Sequence, residues 1–336
     1  MLVLPDGRTG SLHRKVRLLA LRWLLNQDTP LKSTLMAQPK QALTALDQTV
    51  LPLVLCAMSG ARADLMDRIV PELMLRVTTR ETLTWERPVQ LLHRGDERIT
   101  VDARAMLLSP AGPEVLLDGP TPVEHLSGEP MREGLLALQD DFPLRLEEAH
   151  PDKAGNALDL GGRTAQQWQE SLGAALDYIE AGLPGWRREG PLHTVVPVGF
   201  EPQRSLSASY REAPGVAWVS LHPDPVVLAE ALVHENQHSR LNLLSWLDPV
   251  LENAWTEWSP SPVRPDLRPL MGVLLAVHAF VPVAVLHRSQ SQHERARRAW
   301  ERNERGLKVL RDKARPTPAG ARLLQALEEE HRATAG

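Results

Sequence analysis

The sequence predicts an α+β fold that is mostly helical and contains a small antiparallel sheet. Three observations predict this class. Apolar residues recur at helical spacing in several long segments. Short segments that alternate apolar and polar residues, separated by proline or Gly-Asp, lie between residues 81 and 101. Two further strand-like segments precede a helix that carries paired histidines, and we expect this helix to pack on a second long helix.

The N-terminal region, residues 1–140, begins with helices and continues with strands. Apolar spacing predicts helices over residues 11–26, 40–58 and 61–75. Residues 110–130 are rich in proline and glycine, which predicts loops with short strands. This region either recognises a peptide or completes the fold. The predicted strands are residues 81–85, 89–93 and 98–101.

The helix with the paired histidines has clear start signals. An amphipathic helix over residues 164–181 and strands over residues 193–198 and 216–221 come before it. Asp224 suits an N-cap, because its carboxylate can accept from free backbone N–H groups, and Pro225 suits the first helical position.

The most informative pattern is H-E-x-x-H, formed by His234, Glu235 and His238. Residues four apart on a helix lie about 40° apart around its axis, so both histidines can bind one metal ion. Glu235 can reach the edge of the same site. Two solvated surface histidines are the alternative, which the apolar flanking residues disfavour because a buried, unpaired His–Glu–His cluster would be costly.

A metal site of this kind needs a third protein ligand. The extended motif of one peptidase class would place glycine and histidine where the chain has Leu241 and Leu244, so that class is excluded. A downstream glutamate, Glu252 or Glu257, could serve, although the tryptophans and proline around them make that stretch a poor helix.

The preferred third ligand is His278, the single polar residue in an apolar helical stretch of about fifteen residues. A histidine in such a stretch is usually a core residue, but the helix with the two histidines must pack against an apolar partner. His287 is less suitable because it ends this stretch next to Arg288.

Composition limits the function classes. The chain has 336 residues and a formal net charge of −4, which argues against nucleic acid as the main partner. The single cysteine, Cys56, fits the cytoplasm and excludes a cysteine-rich metal site. No apolar run long enough to span a membrane and no signal peptide are recognised. Residues 141–290 are expected to form the catalytic domain, and residues 291–336 a charged helical tail whose charges form a solvated surface rather than a partner site.

Four segments carry a resemblance to a known family. They are VHENQHSRLNLL (233–244), WSPSPVRPDLRPLMGVL (258–274), VHAFVPVA (277–284) and, upstream, SLSASYREAPGVAWVS (205–220). These segments resemble the HExxH peptide-modification proteins, which occur in gene clusters for ribosomally made, post-translationally modified peptides. Members of that family are described as iron(II)- and 2-oxoglutarate-dependent peptide β-hydroxylases. The resemblance covers roughly residues 140–290.

The resemblance implies an iron(II) site with open positions for 2-oxoglutarate and O2. Arg268 and Arg264 are then candidates to bind the far carboxylate of 2-oxoglutarate, because guanidinium pairs bidentately with carboxylate. Ser207 and Tyr210 are candidates to line the substrate pocket. Glu235 would orient a ligand or a water.

Two other classes stay open. In a zinc metallopeptidase, Glu235 would be the general base, with Glu252 or Glu257 as third ligand. A peptide-binding module with a degenerate site is the third class.

Overall fold

The computed structural model divides the chain into two compact units, residues 14–135 and residues 136–336 together with the first 13 residues. The residues that the structure describes are 9–27, 31–47, 50–60, 65–77, 81–94, 97–109, 112–117, 121–125, 129–130, 145–146, 159–189, 191–263 and 265–334.

The first unit combines short helices with an antiparallel sheet. The helices are α1 (Thr9–Leu25), of which the part from Arg14 onward belongs to this unit, α2 (Lys32–Ala37), α3 (Pro39–Ala45), α4 (Val50–Met58) and α5 (Met66–Met74). The strands are β1 (Glu81–Arg94), β2 (Glu97–Ser109), β3 (Gly112–Leu117) and β4 (Thr121–His125), which lie in that order, and β5 (Glu129–Pro130), which pairs with β2.

Two predictions in this unit need correction. The helix predicted over residues 40–58 is two helices, because Asp47 accepts a hydrogen bond from the backbone N–H of Val50 at 3.1 Å and so caps α4. The two strands predicted on either side of Pro88 are one long strand, β1. Its register with β2 shifts between Thr84 and Val89, which accommodates a residue without a backbone N–H.

The second unit combines six helices with short strands. The elements are β6 (Arg145–Leu146), α6 (Ala165–Gly182), α7 (Trp186–Glu189), β7 (Thr194–Phe200), β8 (Ser207–Ala208), β9 (Val216–Leu221), α8 (Pro225–Ser245), β10 (Trp258–Pro260), β11 (Leu267–Pro269), α9 (Leu270–Ser289), α10 (His293–Lys313) and α11 (Pro318–Ala333).

Four of these strands form a small mixed sheet in the order β6-β7-β9-β8. β6 and β7 run parallel, as do β7 and β9, whereas β8 is antiparallel to β9. The predicted α+β class is confirmed, and the parallel pairs are a feature that the sequence analysis did not predict.

Helix α8, which carries the H-E-x-x-H pattern, lies at the centre of this unit. It packs against α6, β9 and α9, as the prediction of a second long partner helix required. The shared core includes Trp168 and Leu172 of α6, Leu232 of α8 and Leu286 of α9, all fully buried or nearly so. The α8 helix therefore has apolar neighbours on several sides, and its motif lies inside the fold.

The sequence analysis recognised no apolar run long enough to span a membrane, and helix α9 corrects that expectation. It has 20 residues and contains an 18-residue window with a mean hydropathy of 2.1, so by length and composition it could cross a membrane. Among the described residues no other single helix passes that test, and the bent pair α3 and α4 passes it jointly. In the structure 78% of the apolar window of α9 is buried, which is the environment of a core helix.

The predicted C-terminal tail belongs to the second unit. Helix α10 packs closely along α9, and α11 packs on both. At Gly306 of α10 an added Cβ would overlap Cγ2 of Val277 in α9, so the glycine permits the close approach. The ring of Trp300 also stacks on His331, with centroids 4.7 Å apart. These contacts bury Ala299, Leu307 and Leu310 on one side of α10, while charged residues such as Arg297 stay exposed on the other.

Candidate metal centre

Helix α8 begins as the sequence predicts. The Asp224 carboxylate accepts a hydrogen bond from the N–H of Val226 at 2.9 Å, and Pro225 occupies the first turn. The second carboxylate oxygen of Asp224 pairs with Arg295 of α10 at 2.7 Å. The start of the helix is thus fixed from two directions.

The motif side chains lie together on α8. Ligand atoms of His234, Glu235 and His238 are all within 4.8 Å of one another. The two imidazole rings are nearly perpendicular, with centroids 4.3 Å apart. Nε2 of His234 is 4.0 Å from Oε1 of Glu235, whose side chain is almost fully buried. Two imidazoles and a carboxylate at this separation are a donor set for a divalent transition metal.

Both imidazoles are half-buried, and their surroundings favour the neutral form. Burial lowers the pKa of His234 well below the ordinary 6.5, and the neighbouring His238 lowers it further. Burial also lowers the pKa of His238, although the Glu235 carboxylate acts in the opposite direction. A neutral imidazole keeps the nitrogen lone pair that binds a metal, so the site is prepared for a cation.

The same side chains contain unsatisfied polar atoms. Nδ1 of His238 and Oε2 of Glu235 are buried and have no hydrogen-bond partner among the described residues. A buried carboxylate oxygen without a partner costs free energy. A divalent cation shared by this group would offset that cost, so the residues present fit a metal ion.

Two polar residues fix the opposite side of α8. Oδ1 of Asn236 accepts from the backbone N–H of Leu192 at 3.2 Å, and Oγ of Ser239 accepts from Gly215 at 3.2 Å. Gly215 has φ 90°, a conformation that suits glycine. Our sequence analysis missed both residues, although polar residues between apolar flanks were the available signal. The hydrogen bonds of Asn236 and Ser239 fix the rotation of α8 about its axis, and this rotation directs the histidines into the site.

A large cavity of about 560 Å³ opens beside His238. Tyr210, Asn242, Glu252 and Leu275 are among its lining residues. The Tyr210 ring meets that of Trp218 edge-on, with centroids 4.9 Å apart, so it is held against the sheet. The predicted substrate residue Tyr210 therefore lies in the same cavity as one motif histidine.

A smaller cavity of about 210 Å³ opens beside His234. It is lined by Ser205, Ser207, Glu230 and Phe280, together with two apolar residues of α8. The Phe280 ring contacts that of His234, with centroids 4.8 Å apart. The other predicted substrate residue, Ser207, thus lies on the His234 side. The motif has one opening on each side.

His278, the predicted third ligand, is fully buried in α9 but is not part of the ligand group of His234, Glu235 and His238. It lies one turn after Leu275, which lines the cavity beside His238, so both side chains leave the same face of α9. Helix α9 therefore contacts the surroundings of both histidines. The ligand role of His278 stays a prediction.

The other candidates for the third ligand have different surroundings. Glu252 is exposed and lines the cavity beside His238. Glu257 is bound by Lys313 at 3.1 Å, and His287 by Glu230 at 3.1 Å. Of these three, Glu252 alone shares a cavity with a motif histidine in the described part of the chain.

The structure does not bring Arg268 into either cavity. Its Nε lies 2.9 Å from the Asp266 carboxylate, the side chain is 36% exposed, and its carbons lie near Gly272. Its role as carboxylate clamp stays a prediction. Arg264 lies outside the described residues.

Arg211 lines the cavity beside His238, and three further arginines near the site are on α10, a segment whose charges we interpreted as a solvated surface. A third cavity, of about 300 Å³, is lined by Arg295, Arg298, Arg302, Glu230 and His287, together with Ala299. The three arginines recur three and four residues apart along α10, and this helical spacing was a signal available in the sequence.

No protein-family model matches this chain, and no curated protein matches it. The resemblance to the HExxH peptide-modification proteins is therefore a hypothesis. The candidate site is supported by the geometry of the chain itself.

Proposed function

We propose that this chain is an iron(II)- and 2-oxoglutarate-dependent enzyme that hydroxylates a β-carbon in a ribosomally made peptide. One observation carries the proposal: the H-E-x-x-H group opens into two cavities of unequal size, one beside each histidine. A peptide oxygenase must admit two organic ligands to one metal, a small co-substrate and a large peptide. A site with two openings suits that requirement.

Each cavity suits one ligand. The cavity of about 560 Å³ beside His238 is large enough for a peptide side chain and its flanking backbone. Trp255, on its lining, is 68% exposed and offers an aromatic surface to a peptide. The cavity of about 210 Å³ beside His234 suits a small molecule, and Ser205 and Ser207 offer hydroxyl groups there.

The protein residues hold and orient the reactants. His234 and His238 would bind iron(II), with His278 as the proposed third ligand. Bound iron(II) and 2-oxoglutarate supply the oxidising chemistry: one oxygen atom of O2 enters the peptide C–H bond, and the other enters succinate as CO2 leaves. Glu235, almost fully buried beside His234, would orient a ligand.

One observation favours a second function, a zinc metallopeptidase. Glu252 lines the cavity beside His238 and could complete a two-histidine, one-glutamate set. In that enzyme the Glu235 carboxylate would accept a proton from a metal-bound water.

We also propose a cytoplasmic location, with neither nucleic acid nor membrane as partner. The chain has one cysteine, Cys56, so it forms no intramolecular disulfide, which suits a reducing compartment.

The test is succinate formation after reconstitution with iron(II) under anaerobic conditions, followed by 2-oxoglutarate and O2. We expect succinate from the iron(II) protein and none from zinc-loaded protein. His234→Ala should abolish it, whereas His293→Ala, at an exposed histidine of α10, should not. Iron-loaded protein that forms no succinate while zinc-loaded protein cleaves peptides would overturn the proposal.

A further inference from the structure

The arginine-lined cavity on α10 adjoins the small cavity beside His234, because Glu230 lines both. Arg295, Arg298 and Arg302 are spaced three and four residues apart, so they lie on one face of the helix. Glu230 is the one carboxylate among the lining residues. The cavity therefore carries an excess of positive charge next to the candidate metal site.

Two of these arginines already have carboxylate partners. Arg295 pairs with Asp224 at 2.7 Å and with Glu230 at 3.7 Å. Arg298 pairs with Glu294 at 3.2 Å. Glu230 is also bound by Nε2 of His287 at 3.1 Å, so its charge is compensated by protein groups.

Arg302 differs from its neighbours. It is half-buried and has no carboxylate partner among the described residues. Its Cζ lies 5.7 Å from the centre of the Phe280 ring, a cation–π arrangement that holds the guanidinium in place. The same Phe280 ring contacts His234. The Arg302 guanidinium and His234 therefore both contact the Phe280 ring.

The upper bound on the separation between Arg302 and His234 is comparable to the span of a small dicarboxylate. With 4.8 Å between the His234 and Phe280 rings and 5.7 Å from Phe280 to Arg302, Cζ lies at most 10.5 Å from the His234 ring centre. An extended five-carbon chain has four C–C bonds of about 1.5 Å. Adding a metal–ligand bond of about 2 Å and a charged hydrogen bond of about 2.8 Å gives a reach on the order of 10 Å.

We infer that Arg302 binds the far carboxylate of 2-oxoglutarate, whose 2-oxo acid end lies at the metal beside His234. The inference rests on the proposed function and replaces Arg268 in the clamp role. Phe280 forms the wall between the two ends of the ligand. Arg302 then confers specificity for dicarboxylates, because a 2-oxo acid without a second carboxylate leaves its guanidinium without a partner.

The experiment measures 2-oxoglutarate binding to the anaerobic iron(II) protein by the visible charge-transfer absorption that a chelated 2-oxo acid produces. We expect Arg302→Met to weaken binding about 10- to 100-fold, the effect of losing a charged hydrogen-bonded pair, with iron content unchanged. Arg302→Lys should lose less, because it keeps the charge. Arg297→Met is the matched control: Arg297 is on the same helix, 59% exposed and paired with Glu294 and Glu301, and its loss should change nothing.

A second ligand separates a binding role from a structural one. 2-Oxobutyrate lacks the far carboxylate, so it should bind wild-type protein weakly and Arg302→Met equally weakly.

The inference is overturned if Arg302→Met binds 2-oxoglutarate normally, or if the substitution weakens the binding of both ligands to the same extent. An Arg302→Met protein that binds 2-oxoglutarate normally but loses binding of an aspartate-rich peptide would assign the arginine to the substrate, and this too overturns it. Wild-type protein that binds iron(II) but no 2-oxoglutarate would instead refute the proposed function, before any variant is compared.

Discussion

Glu235 is the residue whose role differs most between the two candidate functions. Its carboxylate is buried beside His234 and has one oxygen without a partner among the described residues. An oxygenase needs no base to produce hydroxide, whereas a metallopeptidase does. The same geometry therefore leads to different expectations for one substitution.

Glu235→Gln keeps the size of the side chain and removes its charge. We expect bound iron to remain and succinate formation to fall about 10- to 100-fold, because the residue orients groups around the metal. Glu170→Gln, at an exposed position of α6, is the control and should leave turnover unchanged. Peptide cleavage by wild-type protein that disappears in Glu235→Gln would support the peptidase instead.

The third ligand can be identified by metal content. His278→Leu keeps an apolar side chain in the core of α9, and we expect iron affinity to fall by more than about 100-fold, because a direct ligand should matter more than a group that orients one. Glu252→Gln should retain iron, since Glu252 is exposed to competing water. Folding of both proteins is checked by thermal unfolding. Iron retained in folded His278→Leu and lost in Glu252→Gln would assign the site to the peptidase type.

Among the elements, helix α8 was predictable because its signals are local. The cap at Asp224, Pro225 and the apolar flanks of the motif all lie within one segment. The parallel pairing of β7 with β9 depends on distant segments, so no local pattern revealed it. The site arginines were missed for a similar reason: the charge of α10 suggested a solvated surface, and its packing on α9 became visible only in the fold.

Replacement of glycine by alanine should have opposite effects at Gly306, which lies in the contact between α9 and α10, and at Gly173 in α6. Gly306→Ala should destabilise the protein by about 1–3 kcal/mol, because the new methyl group overlaps Val277. Gly173→Ala, inside α6 with nothing within 4 Å of the added carbon, should stabilise it by about 0.5–1 kcal/mol through helix propensity. Urea unfolding of both proteins measures the difference. Stabilisation by Gly306→Ala would show that α9 and α10 are not in close contact there.

At the scale of the whole molecule, metal binding and folding should be coupled. A cation that binds only the folded site stabilises the protein, by about 2.7 kcal/mol at a free concentration one hundred times its dissociation constant. We expect a chelator to lower the unfolding midpoint of wild-type and His293→Ala protein. His234→Ala should show no such change, since it lacks a ligand. An equal chelator effect in His234→Ala would place the metal elsewhere.

The origin of the transferred oxygen tests the central claim most directly. Iron(II)-reconstituted protein is given 2-oxoglutarate and isotopically labelled O2, and the succinate is analysed by mass spectrometry. The proposed hydroxylase predicts succinate that carries one labelled oxygen atom, because one atom of O2 enters that product. The account is contradicted if no labelled succinate forms and if, in labelled water, a mixture of synthetic peptides yields cleavage products that carry the label.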